Sequence, residues 1–217
     1  MDQNELDQQS QHWEKNFSNK PEMFGLEPSI SAKKALNFFK EKKINNIVEL
    51  GAGLGRDSIF FAKNNIKIQA LDYSSSGIEI INHKINKDNL KNFISTKLFD
   101  VREKLPFEDN SIDGCYSHML YCMALTTEDL EKLNNEIHRI LKPNGLNIYT
   151  VRHTNDGDYK NGKHIGEDLY ENDGFIVHYF SQEKVNSLLN GFKNITLEKF
   201  EEGTFPRKLF FIVNEKK

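Results

Sequence analysis

The chain predicts an α/β fold, an open parallel sheet covered by helices on both faces. Three observations predict it. From Ile44 onward β-rich apolar runs alternate with segments of helical period. The first run leads into a glycine turn that opens a helix, "VELGAGLGRDSIFFA" (48–62). Acids close the next two runs, in "ALDYS" and "LFDV", as ligand sites at strand ends require. A length of 217 residues suits one domain with a full core.

Taken in order, residues 1–43 hold the polar start "MDQNELDQQSQHW", an aromatic arm "HWEKNFSNKPEMFGLEPS" placed to fold over a pocket, and an amphipathic helix in "SISAKKALNFFKEK". Strands are expected at 46–50, 66–71, 93–99, 111–117 and 146–152, with helices at 56–64, 75–87 and 128–141 between them. "KPNG" stops the last of these, Pro143 and Gly145 breaking the helix and turning the chain. The polar, Gly- and His-containing stretch 153–174 reads as a loop or insertion that covers a site. "SQEKVNSLLNGF" reads as a helix capped by Ser181, and 195–202 and 207–215 as two closing strands whose short link suggests an antiparallel pair. The whole, 1–217, is expected to be a single domain: a covering arm and helix (1–43), a binding core (44–152) and an acceptor-side loop, helix and hairpin (153–217).

Composition narrows the partners. The net charge is −3, from 29 basic and 32 acidic residues well mixed along the chain, which gives no footprint for nucleic acid or an anionic membrane. The start is the reverse of a secretory signal, and no apolar run nears membrane-spanning length. Two cysteines, Cys115 and Cys122, form neither a disulfide framework nor a zinc spacing, which fits a reducing, cytoplasmic setting. His153, His164 and His178 lack compact ligand spacing, so no metal is expected.

In the glycine turn, Gly51, Gly53 and Gly55 bring bare backbone close to a ligand, but the third glycine comes one residue early for the dinucleotide pattern, with Arg56 in the sixth place. Glu49 and Asp57 bracket the turn, whereas a pyrophosphate wants free N–H groups and positive potential. Asp72, closing the second strand, is placed to accept from both hydroxyls of a ribose. A phosphate-free ligand with a ribose, an adenine and an ammonium group suits these acids, and S-adenosylmethionine (SAM), whose sulfonium favours negative surroundings, is such a ligand.

The segments "VELGAGLGRD", "ALDYS", "LFDV", "DGCYSHMLYCM" and "EIHRILKPNGLNIYTV" stand in the order and spacing of the motifs of class I SAM-dependent methyltransferases, and over residues 46–152 the chain resembles that family. The resemblance implies a Rossmann-like, doubly wound, seven-stranded and mostly parallel sheet with its final hairpin strand reversed. It also implies that Glu49, Gly51, Ala52 and Gly53 wrap the methionine half, that Asp72 binds the ribose, and that Tyr73 lies against the adenine. Asp100 would meet the adenine amino group, Val101 would give the ring a backbone contact, and Ser117 would stand near the methionine moiety. "GAGLGRDSIFFA" and the tail "HYFSQEKVNSLLNGFKNITLEKFEE" look like the tellurite-resistance and thiopurine-type branch, whose acceptors are often soft sulfur, selenium or tellurium compounds.

Methyl transfer is an in-line displacement in which holding both reactants collinear supplies most of the catalysis, and a base matters only for some acceptors. Just past the fourth strand, "SHMLYCM" offers His118 as base or acceptor-orienting group and Tyr121 as a hydrogen-bonding wall; a packing role for each stays open. Phe24 in the arm is a candidate cation–π contact to the sulfonium, with a hydrophobic staple as the other reading. The expected activity is methyl transfer to a small-molecule acceptor. A non-catalytic nucleoside-binding partner and a nicotinamide-dependent reductase are the alternatives.

Overall fold

In the computed structural model, which describes residues 3–203 and 206–217, β1 (Asn46–Leu50) is buried from its second residue to its last. Central parallel strands with helices on both faces are buried along their length in this way, and here even Glu49 is enclosed. β1 pairs in parallel with β2 (Lys67–Asp72) on one side and β4 (Ile112–His118) on the other. β3 (Ile94–Leu98) lies beyond β2, and β5 (Leu141–Arg152) beyond β4. The closing strands β9 (Phe192–Glu202) and β10 (Arg207–Lys216) pair antiparallel, β10 inserting between β5 and β9. The order is β3-β2-β1-β4-β5-β10-β9, seven strands with a reversed hairpin strand, as expected. The chain changes direction of travel across the sheet between β1 and β4, so the crevice over their carboxyl ends is where a ligand belongs.

Helices cover both faces. Ile47 packs with Phe39 of α2 (Ile30–Glu41), Phe61 of α3 (Arg56–Lys63) and Ile81 of α4 (Ser75–Lys87). Val48 and Leu50 face the opposite layer, with Leu130 and Ile137 of α5 (Thr127–Ile140) and Val185 of α6 (Gln182–Ser187). Ser29, Ser74, Thr126 and Ser181 cap α2, α4, α5 and α6 through their hydroxyls, satisfying N–H groups that would otherwise have no partner. Phe61 is fully enclosed, its ring 5.7 Å from Phe39 and 4.9 Å from Tyr116, both edge-on. Phe61→Ala is expected to lower folding stability by about 3–5 kcal/mol, read from the midpoint of urea unfolding.

Four readings are corrected. The polar start belongs to a long helix, α1 (Gln3–Asn19), and only the last part of the aromatic arm is irregular. The stretch 153–174 is more than a loop: β6 (Lys163–Gly166), β7 (Leu169–Asn172) and β8 (Phe175–His178) form a separate antiparallel sheet in that order. Its second turn is Asp173-Gly174 with both φ positive, 52° and 84°, a two-residue Asp-Gly hairpin signal that was present in the sequence. α6 stops at Ser187, well short of Phe192, with Leu188 as its C-cap, and Gly191 (φ 76°) then turns the chain into β9. "KPNG" lies inside β5 as an irregularity: pairing with β4 runs Ile112 to Leu141, then resumes at Gly114 and Leu146. The short link between the closing strands lies partly outside the described residues.

The small sheet is fixed against the loop that follows β4. His178 donates its N–H to Cys122 O (3.0 Å), and its Nδ1 lies 2.8 Å from Leu125 O. Burial, helped by the Lys184 charge, pushes the His178 imidazole down to about 4, so it is neutral at physiological pH. Cys115 and Cys122 are free and buried. Among the described residues no helix is long and apolar enough to cross a membrane.

Candidate functional site

The glycine turn after β1 bends because three successive glycines take left-handed backbone, φ 69°, 55° and 75° at Gly51, Gly53 and Gly55. A Cβ on Gly55 would stand 2.6 Å from Ile81 Cγ1, so this position also sets how closely α3 and α4 approach. Gly51 and Ala52 donate their N–H groups to Leu71 O, at 2.9 and 3.0 Å. Gly53 N–H goes to Asp72 Oδ2 (2.7 Å). The turn is thereby tied to the carboxyl end of β2.

Beside it lies a cleft enclosing about 50 Å³. Five of the residues singled out in the sequence line it together: Gly51, Asp72, Tyr73, Asp100 and Val101. They come from the ends of β1, β2 and β3, which parallel pairing brings level. Asp72 accepts from Gly53 N–H through one oxygen and from Ser74 N–H (2.9 Å) through the other. Burial raises its pKa to about 6, against the pull of those N–H groups and with the Glu14 charge adding to the rise. Burial also raises the Tyr73 hydroxyl, keeping it protonated. At Asp100 burial acts upward, yet the Arg102 hydrogen bonds prevail and hold the carboxyl below its usual range. Arg102 grips Asp100 through Nε (3.1 Å) and Nη2 (2.7 Å) and reaches Asp7 of α1 through Nη1 (2.6 Å).

The other singled-out residues lie around that cavity at different depths. Glu49 is enclosed beneath the turn, where Ser58 Oγ donates to it; burial, then the Asp57 charge, pushes its carboxyl well above the usual range. Asp57 faces α2, accepting from Ser29 N–H (2.8 Å), Ser29 Oγ (2.7 Å) and the Tyr116 hydroxyl (3.0 Å). Ser117 is buried in β4, its Oγ without a hydrogen-bond partner. Phe24 and Phe17 stand over the glycine turn, 3.8 and 3.6 Å from where a Gly53 Cβ would lie. Arg56 donates to Phe24 O (3.0 Å). Tyr121 lies in the core rather than on the cavity: its ring stacks on Tyr149 at 4.2 Å, and its hydroxyl accepts from Asn147 Nδ2 (3.0 Å).

His118, the last residue of β4, joins a partly buried polar row. Its Nδ1 meets Ser31 Oγ (2.9 Å) and Thr150 Oγ1 (3.0 Å), and its Nε2 stands 3.3 Å from Glu202 Oε2. Glu202 Oε1 accepts from Ile30 N–H (2.9 Å) at the start of α2. Thr150 Oγ1 also accepts Met119 N–H (2.9 Å), which ties the end of β4 to β5. Burial lowers the His118 pKa, while Asp57 and Glu202 act against that shift. Met119, the next residue, takes left-handed backbone (φ 63°) although it is not glycine, a local strain that turns the chain sharply at the cavity rim.

Sequence reasoning missed Leu6 and Gln9 of α1, and Leu120 and Met123 after β4, all of which line the cavity. Leu120 carries the least signal, yet it presses on Gly51, its Cδ1 3.0 Å from where a Cβ would stand. Glu202 was also missed, since nothing in its local sequence tells that the hairpin end reaches β4.

Residues 47–145 match the family model described as "Methyltransferase domain". The chain is 37% identical over 127 residues to phosphoethanolamine N-methyltransferase 1 of Triticum aestivum, covering 58% of this chain and 22% of that protein. Other curated relatives carry the names of sterol and tRNA methyltransferases. The chain spans between about a fifth and about half of the length of these relatives. Among solved structures, the 1,6-didemethyltoxoflavin-N1-methyltransferase of Burkholderia thailandensis, with S-adenosylhomocysteine bound, superposes with a TM-score of 0.76 at 14% identity, over 96% of this chain and 87% of that one. TehB from Haemophilus influenzae gives 0.67 at 17% identity, over 94% and 67%. Sheet order, motif positions and superposition agree: residues 47–145 match a methyltransferase domain, and the chain has the fold of the SAM-dependent methyltransferases it superposes on.

Proposed function

We propose that the chain binds SAM in the cavity at the ends of β1, β2 and β3 and transfers its methyl group to a small-molecule acceptor. One observation carries the reading: Asp72 and Asp100 face one cavity beside the glycine turn, and the cation on that wall, Arg102, is already paired to Asp100 and Asp7. Such a wall suits a ribose and a neutral base better than a pyrophosphate. Asp72 accepts from the ribose hydroxyls, Tyr73 packs on the adenine, Asp100 takes its amino group and Val101 its ring edge. Gly51, Ala52 and Gly53, with Glu49 beneath and Ser117 beside, hold the methionine half. SAM supplies an electrophilic methyl carbon, and the chain's part is to hold the acceptor in line with it.

In this reading the N-terminal segment 1–43 covers the site, with Phe24 over the sulfonium side, 44–152 binds the cofactor and 153–217 faces the acceptor. His118 orients the acceptor, and Asp57 serves from outside by fixing α2 against the turn. The acceptor is a small compound, with soft sulfur, selenium or tellurium nucleophiles among the candidates, and the setting is cytoplasmic. The relation to the wheat enzyme adds small amines to the candidates.

Calorimetric titration with SAM, S-adenosylhomocysteine and NADPH tests the binding half: micromolar uptake of the first two is expected, and a response to NADPH alone would reverse the assignment. A mass-detected screen of thiols, selenite, tellurite, phosphoethanolamine, small amines and tRNA tests the other half. SAM uptake without transfer to any of them would favour the non-catalytic partner.

A further inference from the structure

Helix α1 meets each of the three turns that build the cavity. Over the turn after β1 lies Phe17, joined by Trp13 at 5.3 Å. Beside β3, Asp7 takes the Arg102 guanidinium that also holds Asp100. Between them, at the turn after β2, the Glu14 carboxylate accepts from Ser74 Oγ (2.6 Å), Ser75 Oγ (3.1 Å) and Ser76 N–H (3.2 Å). Ser74 stands in the middle of a chain of bonds. Its Oγ caps α4 by accepting Gly77 N–H (3.0 Å), and its own N–H goes to Asp72 Oδ1 (2.9 Å).

Of the three attachments, the one at Glu14 is the most heavily bonded, and it is the one that touches a group bonded to Asp72. A carboxylate at the first turn of a helix is also favoured by the helix dipole. Partial burial works against the charge, yet the bonds from Ser74, Ser76 and Ser75 hold the Glu14 carboxyl down at about 2. The pair at Asp7 and Arg102 is more exposed, and pairs of that kind contribute little alone.

We propose that Glu14 is the latch of α1 and the positioning residue for the ribose acid: with the helix seated, Glu14 fixes Ser74, Ser74 fixes Asp72, and cofactor exchange requires the latch to open. This rests on the SAM reading above. A ligand under α1 is in contact with Leu6 and Gln9 of the helix as well as with the strand ends, so seating the helix and holding the ligand favour one another. Release of the spent cofactor then follows the opening of α1, a step of the kind that sets turnover in many enzymes.

The test uses the full chain and Glu14→Ala and Glu14→Gln variants, with labelled SAM chased by unlabelled SAM. Glu14→Ala is expected to speed SAM dissociation about tenfold or more, and Glu14→Gln, which keeps an acceptor oxygen but no charge, by less. Amide exchange over residues 3–19 should quicken in the same order. A lowered melting temperature of the ligand-free variants with an unchanged dissociation rate would reduce Glu14 to a structural cap and overturn the latch. Should Glu14→Ala fail to fold, Glu14→Gln decides by the same comparison. A wild-type chain that takes up no SAM by calorimetry would instead remove the cofactor reading, and the latch with it.

Discussion

Asp72→Ala is expected to weaken SAM binding by about 10²–10⁴-fold in calorimetric titration, since two charge-assisted bonds to ribose hydroxyls are each worth about 1.5–3 kcal/mol. The variant also orphans Gly53 N–H and Ser74 N–H, which now end on the carboxylate. A melting curve without ligand separates that loss from the loss of affinity. The same residue gives a pH dependence. Its pKa is raised to about 6 from an ordinary 3.8, so the folded chain keeps this proton where the unfolded chain has lost it. The sign follows: its contribution to stability is full below about pH 4 and falls away as pH rises through about 6. Ribose binding needs the ionised form and moves the other way. Wild-type SAM affinity should therefore fall as pH drops below about 6, and the Asp72→Ala variant should lose that dependence. Unchanged affinity in the variant at neutral pH would take the ribose away from Asp72.

The second large effect is expected at His118. His118→Ala should reduce turnover by about 10²-fold, the lower end of what a positioned proton-transfer group contributes, with SAM affinity held within about threefold. The lower end is chosen on geometry: Nδ1 is already engaged by Thr150 and Ser31, and Nε2 stands 3.3 Å from Glu202 Oε2 without a hydrogen bond to it. Burial keeps the ring neutral near pH 7. The measurement is initial rate against acceptor concentration, with the melting temperature as control. A wild-type rate would leave His118 as a pin between α2, β4 and the end of β9.

Where one strand's neighbours alone decide its character, the sequence was readable. β1 and α4 were placed to the residue, because a short β-rich run ending in a glycine turn and a Ser-capped amphipathic stretch are local signals. The five cavity-lining residues were readable for the same reason, as each sits one step past a parallel strand. Tyr121 was not. Its spacing from His118 placed it on the cavity, but the left-handed Met119 redirects the chain, and the Tyr149 ring offers a better partner in the core. α1 was missed because its apolar stripe is thin, Leu6, Trp13 and Phe17 among polar residues, and its seat is made of hydroxyls and an arginine. Those partners lie about 60 to 95 residues away, beyond any pattern of short period. The small sheet was missed because four-residue strands with mixed polarity barely alternate, although its Asp-Gly turn was visible.

The chain has a single tryptophan, and Trp13 sits between Phe17 (5.3 Å) and Phe175 (4.8 Å), immediately before Glu14. Indole emission therefore comes from one known place, where α1, the glycine turn and the small sheet converge. Stopped-flow fluorescence on the unlabelled chain can follow this junction in real time, with no second fluorophore of its kind to blur the signal.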